Sequence, residues 1–158
     1  MRHIFASFML CTLVAACSAS HTAAPKAPVS PEACVAVIGT SVANVPPRDV
    51  PVIVVLHPGD VACLVSDSAG GIRAVPQAPA NSPHISVRMT AERGMTLLAV
   101  KNDTSQGVAY RALMQLPNGP QWNETSIVPV MPGLFGFESW PQAIGAIALF
   151  EMRLETSR

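Results

Sequence analysis

His84-Ile-Ser-Val-Arg-Met-Thr90 alternates apolar and polar residues without a break. Ile85, Val87 and Met89 fall on one side of an extended chain, and Ser86, Arg88 and Thr90 on the other. Successive side chains of a strand point to opposite faces, so the pattern predicts a strand with one face buried and one in water. The next residues repeat the theme. Ala91-Glu-Arg-Gly94 reads as a turn, Met95–Asn102 as a second strand, and Asp103-Thr-Ser-Gln-Gly107 as a loop. Residues 108–115 give a third strand, with Val108, Tyr110, Ala112 and Met114 on one face, before Pro117-Asn-Gly-Pro120 turns the chain.

Upstream, residues 34–38 form a short apolar run that ends before Gly39, most simply a strand. Residues 44–49 read as a loop. Residues 50–56 are dominated by Val and Ile, as in a buried strand, and Pro51 confines the start to an edge or a strand beginning. Pro58-Gly-Asp60 and Asp67-Ser-Ala-Gly-Gly71 are turns on either side of Val61–Ser66. Ile72–Val75 is a short strand, and residues 76–83 are a proline-rich connection. Downstream, residues 126–131 are predicted as a strand, at an edge because of Pro129. Ala146–Glu155 closes the chain, with Ala148, Phe150, Met152 and Leu154 inward and Glu151, Arg153 and Glu155 outward. A helix over 142–152 is the rival reading, opposed by Gly145 and by the alternation from Leu149 onward.

Several short strands separated by turn signals predict an all-β chain, an antiparallel β-sandwich or a small barrel. Residues 84–115 resemble the opening strands of an immunoglobulin-like sandwich in pattern, without the Cys…Trp…Cys hallmark. Composition agrees. The 158 residues are 49% hydrophobic, enough for a sizeable core, and all 15 prolines lie beyond residue 24, where helices would tolerate them poorly. Ten basic residues balance ten acidic ones, so there is no basic field for nucleic acid.

The N-terminus carries an address. Arg2 precedes an apolar run over residues 4–16, interrupted only by Ser7 and Thr12. A span needs roughly 20 apolar residues, whereas a signal-peptide core needs about 7–15. Leu13-Val-Ala-Ala-Cys17 ends this run, and the segment resembles the signal and lipobox of bacterial lipoproteins. The resemblance implies cleavage before Cys17, a diacylglycerol thioether on its sulfur, and acylation (a palmitate-type chain) of the new amino terminus. More than one acyl chain is what makes such anchoring stable. Ser18, where an aspartate would favour inner-membrane retention, implies an outer-membrane protein facing the periplasm. An ordinary secretory signal cut nearby is the alternative. The domain organisation expected is a signal peptide over 1–16, a lipidated cysteine with a flexible tether over 17–33, and one β-domain over 34–158. The tether is rich in Ala, Pro and Ser and has little to bury.

With Cys11 lost in the signal peptide and Cys17 lipidated, Cys34 and Cys63 remain in an oxidising compartment and are expected to form a disulfide. A metal site with His57 and His84 is the alternative. Neither cysteine belongs to a Cys-x-x-Cys pair, and no metal or cofactor is expected.

Signals for chemistry are few. The chain has no phosphate-binding loop, no His-Glu-x-x-His helix and no nucleophile elbow. His57 and His84 are the candidate general bases. Asp60, Asp67 and Ser68 would complete a triad only by assembling residues that no spacing connects, so the protein is read as a non-enzyme. The unusual stretch is Pro132-Gly-Leu-Phe-Gly-Phe-Glu-Ser-Trp-Pro141. The chain has five Phe, two Trp and one Tyr, and Phe135, Phe137 and Trp140 fall here beside Leu134. These residues either form a partner surface, as aromatic hot spots do, or fold back to plug one end of the sandwich, with Glu138 accepting a backbone or Arg hydrogen bond. Trp122 carries the same ambiguity. The expected role is that of a lipid-anchored envelope protein, structural or adaptor-like, that binds another envelope protein. Alternatives are a small ligand-binding or hydrolase-inhibitor module, and a periplasmic metal-binding protein or enzyme.

Overall fold

A computed structural model describes residues 33–38, 46–47 and 49–155. Residues 1–32, 39–45, 48 and 156–158 lie outside the described residues, and with them Cys17 and the segments read from sequence as signal peptide and tether. The described strands are β1 (Cys34–Val35), β2 (Val52–Leu56), β3 (Val61–Ser66), β4 (Ile72–Val75), β5 (Gln77–Ala78), β6 (Ile85–Glu92), β7 (Met95–Asn102), β8 (Gly107–Gln115), β9 (Trp122–Thr125), β10 (Phe135–Trp140) and β11 (Ala146–Glu155). Every pairing is antiparallel. A five-stranded sheet runs β10-β7-β6-β3-β4, a four-stranded sheet β2-β11-β8-β9, and β1 pairs with β5.

The alternation in 84–90 is the key to the packing. Ile85, Val87 and Met89 of β6 and Leu98 and Val100 of β7 are buried in one cluster with Leu56, Val108, Ile147 and Leu149 of the other sheet. The sheets therefore stack face to face as a sandwich and do not close into a barrel. Each such side chain stabilises by about 1.5–3 kcal/mol when fully buried. The β6–β7 register is held by a two-residue loop, Arg93-Gly94, between the paired Glu92 and Met95. Both loop residues have positive φ, 53° and 79°, the backbone that matches the twist of a tight hairpin.

Cys34 and Cys63 form the expected disulfide, with Cα atoms 5.8 Å apart. Cys63 lies on the outer face of β3, and Cys34 and Ala78 pack against it in a small cluster of their own. The bond thus clamps β1 to the outside of the five-stranded sheet. β5, which supports it, lies inside the segment read from sequence as mere connection.

Two sequence expectations need correction. The strand predicted over 126–131 is displaced: Trp122–Thr125 pairs with β8, and downstream only Val130 makes a bridge, to Val108. Pro129 and Pro132 lack the N–H groups of a regular ladder, and this segment crosses from one sheet to the other. In β11 the predicted facing holds from residue 151 onward, with Met152 and Leu154 inward and Glu151, Arg153 and Glu155 exposed, and fails for Ala148 and Phe150. Ile147 and Leu149 enter the inter-sheet core, while Ala148 and Phe150 pack on the opposite face of the sheet. The cause is a β-bulge. Phe150 pairs with Arg111 and Arg153 with Ala109, so two residues of β11 oppose Tyr110 alone. Glu151 takes a left-handed conformation, φ 48°, to insert the extra residue, and the inward parity switches there.

Tyr110, the sole tyrosine, is buried in the core. Burial first, and the Glu138 carboxylate second, push its phenol well above the usual range. The unfolded chain ionises near pH 10 while the native phenol does not. The stabilising difference is therefore intact below pH 10 and is lost as pH rises beyond it. Unfolding free energy is expected to fall by about 1.4 kcal/mol per pH unit above 10 from this group. Urea unfolding at pH 9 and 11 checks it, with Tyr110→Phe removing this part of the slope.

Candidate functional site

β10 is the outermost strand of its sheet, paired only with β7 among the described residues. The Asn102 N–H donates to the Leu134 carbonyl at 3.0 Å, which sets the phase of the ladder. Gly136, Glu138 and Trp140 turn their backbone groups toward β7, and Phe135, Phe137 and Ser139 turn theirs to the free edge. The last three also point their side chains to the outer face. One short strand thus presents an unpaired row of donors and acceptors together with two aromatic rings.

Sequence places several residues so that this edge forms. Gly133 has φ 68° and turns the chain into the strand. A Cβ on Gly136 would sit 2.5 Å from the Val130 Cγ2, so glycine lets the crossing segment pack beneath β10. Glu138 faces inward and accepts the Val128 N–H at 2.8 Å, and the Trp140 Nε1–H donates to the Thr125 hydroxyl at 3.1 Å. Beyond the strand, the Thr96 hydroxyl donates to the Gln142 carbonyl and accepts the Ile144 N–H.

The predicted surface residues divide. Leu134, Phe135 and Phe137 are 56%, 57% and 63% exposed, so these side chains do not plug the sandwich. Trp140 packs half-buried against the core. Phe135 and Phe137 stack, ring centroids 6.0 Å apart and 7° from parallel, and the Lys101 Nζ lies 5.9 Å from the Phe135 centroid. Val128 and Met131, absent from the sequence-based set, extend the patch and line a depression of about 330 Å³ with Leu134, Phe135 and Phe137. Their signal was apolar character in a segment too rich in proline to pair fully.

The catalytic candidates are not assembled. His57 belongs to the β2–β3 turn, where its backbone N–H donates to Asp60 at 2.8 Å and its Nδ1 lies 3.3 Å from the same oxygen. That turn is bonded to Met89, whereas His84 precedes the other end of β6, about 17 Å along the strand. His84 is buried. Its Nδ1 contacts the Ser82 carbonyl at 2.8 Å and its Nε2 lies 3.6 Å from Asp103. Asp67 accepts the Ala69 and Gly71 N–H groups at 2.9 and 2.8 Å within its own turn, and Ser68 is exposed beside it. Among the described residues no group of three His, Cys, Asp or Glu is placed to hold a metal ion.

A second concave feature escaped the sequence reading. β1, held by the disulfide on the outer face of β3, walls one side of a cleft of about 330 Å³ lined on the other by His84, Ser86, Arg88 and Lys101. Parity alone placed Ser86 and Arg88 on that face. The opposing wall could be seen only once β1 was located.

No protein-family model, curated protein or solved structure matches this chain. The geometry of its own residues is therefore the ground for a functional reading.

Proposed function

We propose that the protein is a lipid-anchored adaptor of the cell envelope. It is attached through Cys17, carried on the Ala/Pro/Ser-rich tether, and docks another envelope protein through β10. The observation that supports this reading is the exposure of Phe135 and Phe137 on an edge strand whose outward backbone groups are unpaired among the described residues. A partner strand laid along such an edge gains main-chain hydrogen bonds, and flanking aromatic side chains provide the contact that discriminates partners. Natural sheet edges of this kind are normally blunted by charge. Here the nearest carboxylate, Glu138, is turned inward and bonded to Val128, which leaves Phe135, Phe137 and the uncharged Ser139 on the outer face of the strand. The ligand-binding alternative draws on cavities of about 330–400 Å³, near the lower limit for small-molecule pockets.

Crosslinking in the intact envelope tests the proposal. A photoreactive residue at position 139, on the same outer face of β10, is expected to capture one specific protein, and Phe135→Asp with Phe137→Asp to cut that capture more than about tenfold while thermal unfolding is unchanged. Cys17→Ala is expected to move the protein from the membrane fraction to the soluble fraction. Capture that survives both aspartates removes β10 as the docking edge, and membrane retention of C17A removes the lipid anchor.

A further inference from the structure

We infer that the cleft beneath β1 is a binding site for a small soluble oxyanion, a carboxylate or a phosphate. The donors in its polar lining are the Arg88 guanidinium, the Lys101 ammonium and the Ser86 hydroxyl, beside the His84 ring, whose Nδ1–H is given to the Ser82 carbonyl. No carboxylate lines it. Asp103 lies behind the lining, where it holds the Lys101 Nζ at 2.8 Å and faces the His84 Nε2 at 3.6 Å. Ser86 and Lys101 are directly opposed in the β6–β7 ladder, and Arg88 is two residues along the same face. A hydroxyl, an ammonium and a guanidinium are thus fixed on rigid strands within the reach of one small anion. Arg88 and the Ser86 hydroxyl have no hydrogen-bond or ionic partner among the described residues. A guanidinium presents paired N–H donors that match two oxygens of a carboxylate or phosphate.

The remaining walls suit the same role. Cys34, Val35, Val37 and Val61 are apolar and lower the local dielectric, which strengthens each charged contact. The disulfide fixes β1 above the sheet, so the site is built before a ligand arrives. The volume, about 330 Å³, accommodates a small ion with its attendant waters.

The test uses the full lipidated chain in a non-ionic detergent, titrated with inorganic phosphate and separately with acetate, followed by amide chemical shifts of residues 84–88 and 99–103. Saturable shifts at Ser86, Arg88 and Lys101 are expected with at least one probe. A response to phosphate alone assigns a phosphoryl ligand, and one to acetate alone a carboxylate. Arg88→Ala is expected to weaken binding about tenfold or more, since a charge-assisted contact is lost. Asp103→Asn is expected to strengthen it, because it frees Lys101 from its competing carboxylate. Arg88 is exposed, so its variant should unfold at the wild-type temperature, which separates a binding defect from a folding one. No saturable shift with either probe, or equal affinity in wild type, R88A and D103N, overturns the inference.

Discussion

A chain carrying Asn102→Ala is expected to lose about 3–4 kcal/mol of unfolding free energy, measured by urea unfolding monitored through tryptophan fluorescence. Asn102 ends β7 and has no solvent exposure, yet its amide is fully used. Nδ2 donates to the Gln106 carbonyl at 2.8 Å and to the Val130 carbonyl at 3.0 Å. Oδ1 accepts the Thr104 N–H at 3.0 Å and the Thr104 hydroxyl at 2.7 Å. The side chain thus ties the β7–β8 loop to the segment that crosses between the sheets. Alanine leaves the buried Thr104 N–H without an acceptor, and a buried orphan donor costs about 1–3 kcal/mol in addition to the other bonds lost. Asn102→Asp is the sharper variant. It keeps the shape but replaces the donating amide with oxygen facing two carbonyl oxygens, and is expected to destabilise at neutral pH by at least as much. Wild-type stability in either variant would show that the loop finds other partners.

The second large effect is expected from the disulfide. Cys34 and Cys63 are 29 residues apart, and releasing a loop of that length from the unfolded chain costs about 3–4 kcal/mol in the chain-entropy model. The C34A/C63A double variant is expected to unfold about 10–15 °C lower by calorimetry. The damage should be local at first. The Cys34, Cys63 and Ala78 cluster is separate from the inter-sheet core, so hydrogen exchange is expected to rise at β1 and β5 before β6 and β7. Uniform loss of protection across all strands would contradict that ordering.

What the sequence showed and what it hid follow from the same physics. β6, β7 and β8 were legible because each has one face in the core and one in water, which writes a period of two into the chain. The ends of Ala146–Glu155 were legible too, but its facing was not. The bulge at Glu151 depends on how β8 is paired, and nothing in the strand itself marks a glutamate for positive φ. β10 was hidden because Pro132, Gly133, Gly136 and Pro141 are turn residues by composition. It becomes a strand because β7 offers a ladder and Val130 leaves no room for a side chain at position 136. Of the candidate site, the aromatic residues could be picked out by composition, and their exposure could not. The cleft under β1 was out of reach, since the Cys34–Cys63 bond could be anticipated but the pairing of β1 with β5, inside a proline-rich connection, could not.

β11 is the last described strand in the chain, yet it sits at the centre of its sheet, bonded to β2 on one side and β8 on the other. Its Ile147 and Leu149 have no solvent exposure. A chain emerging from its N-terminus can close the local β6–β7 hairpin early, because contacts near in sequence form fastest. β2, made almost a hundred residues before β11 by order of magnitude, must wait unpaired until residues 146–155 arrive. The four-stranded sheet is therefore assembled only after synthesis has passed it. During that interval β2, β8 and β9 are exposed to whatever quality-control factors attend the nascent chain.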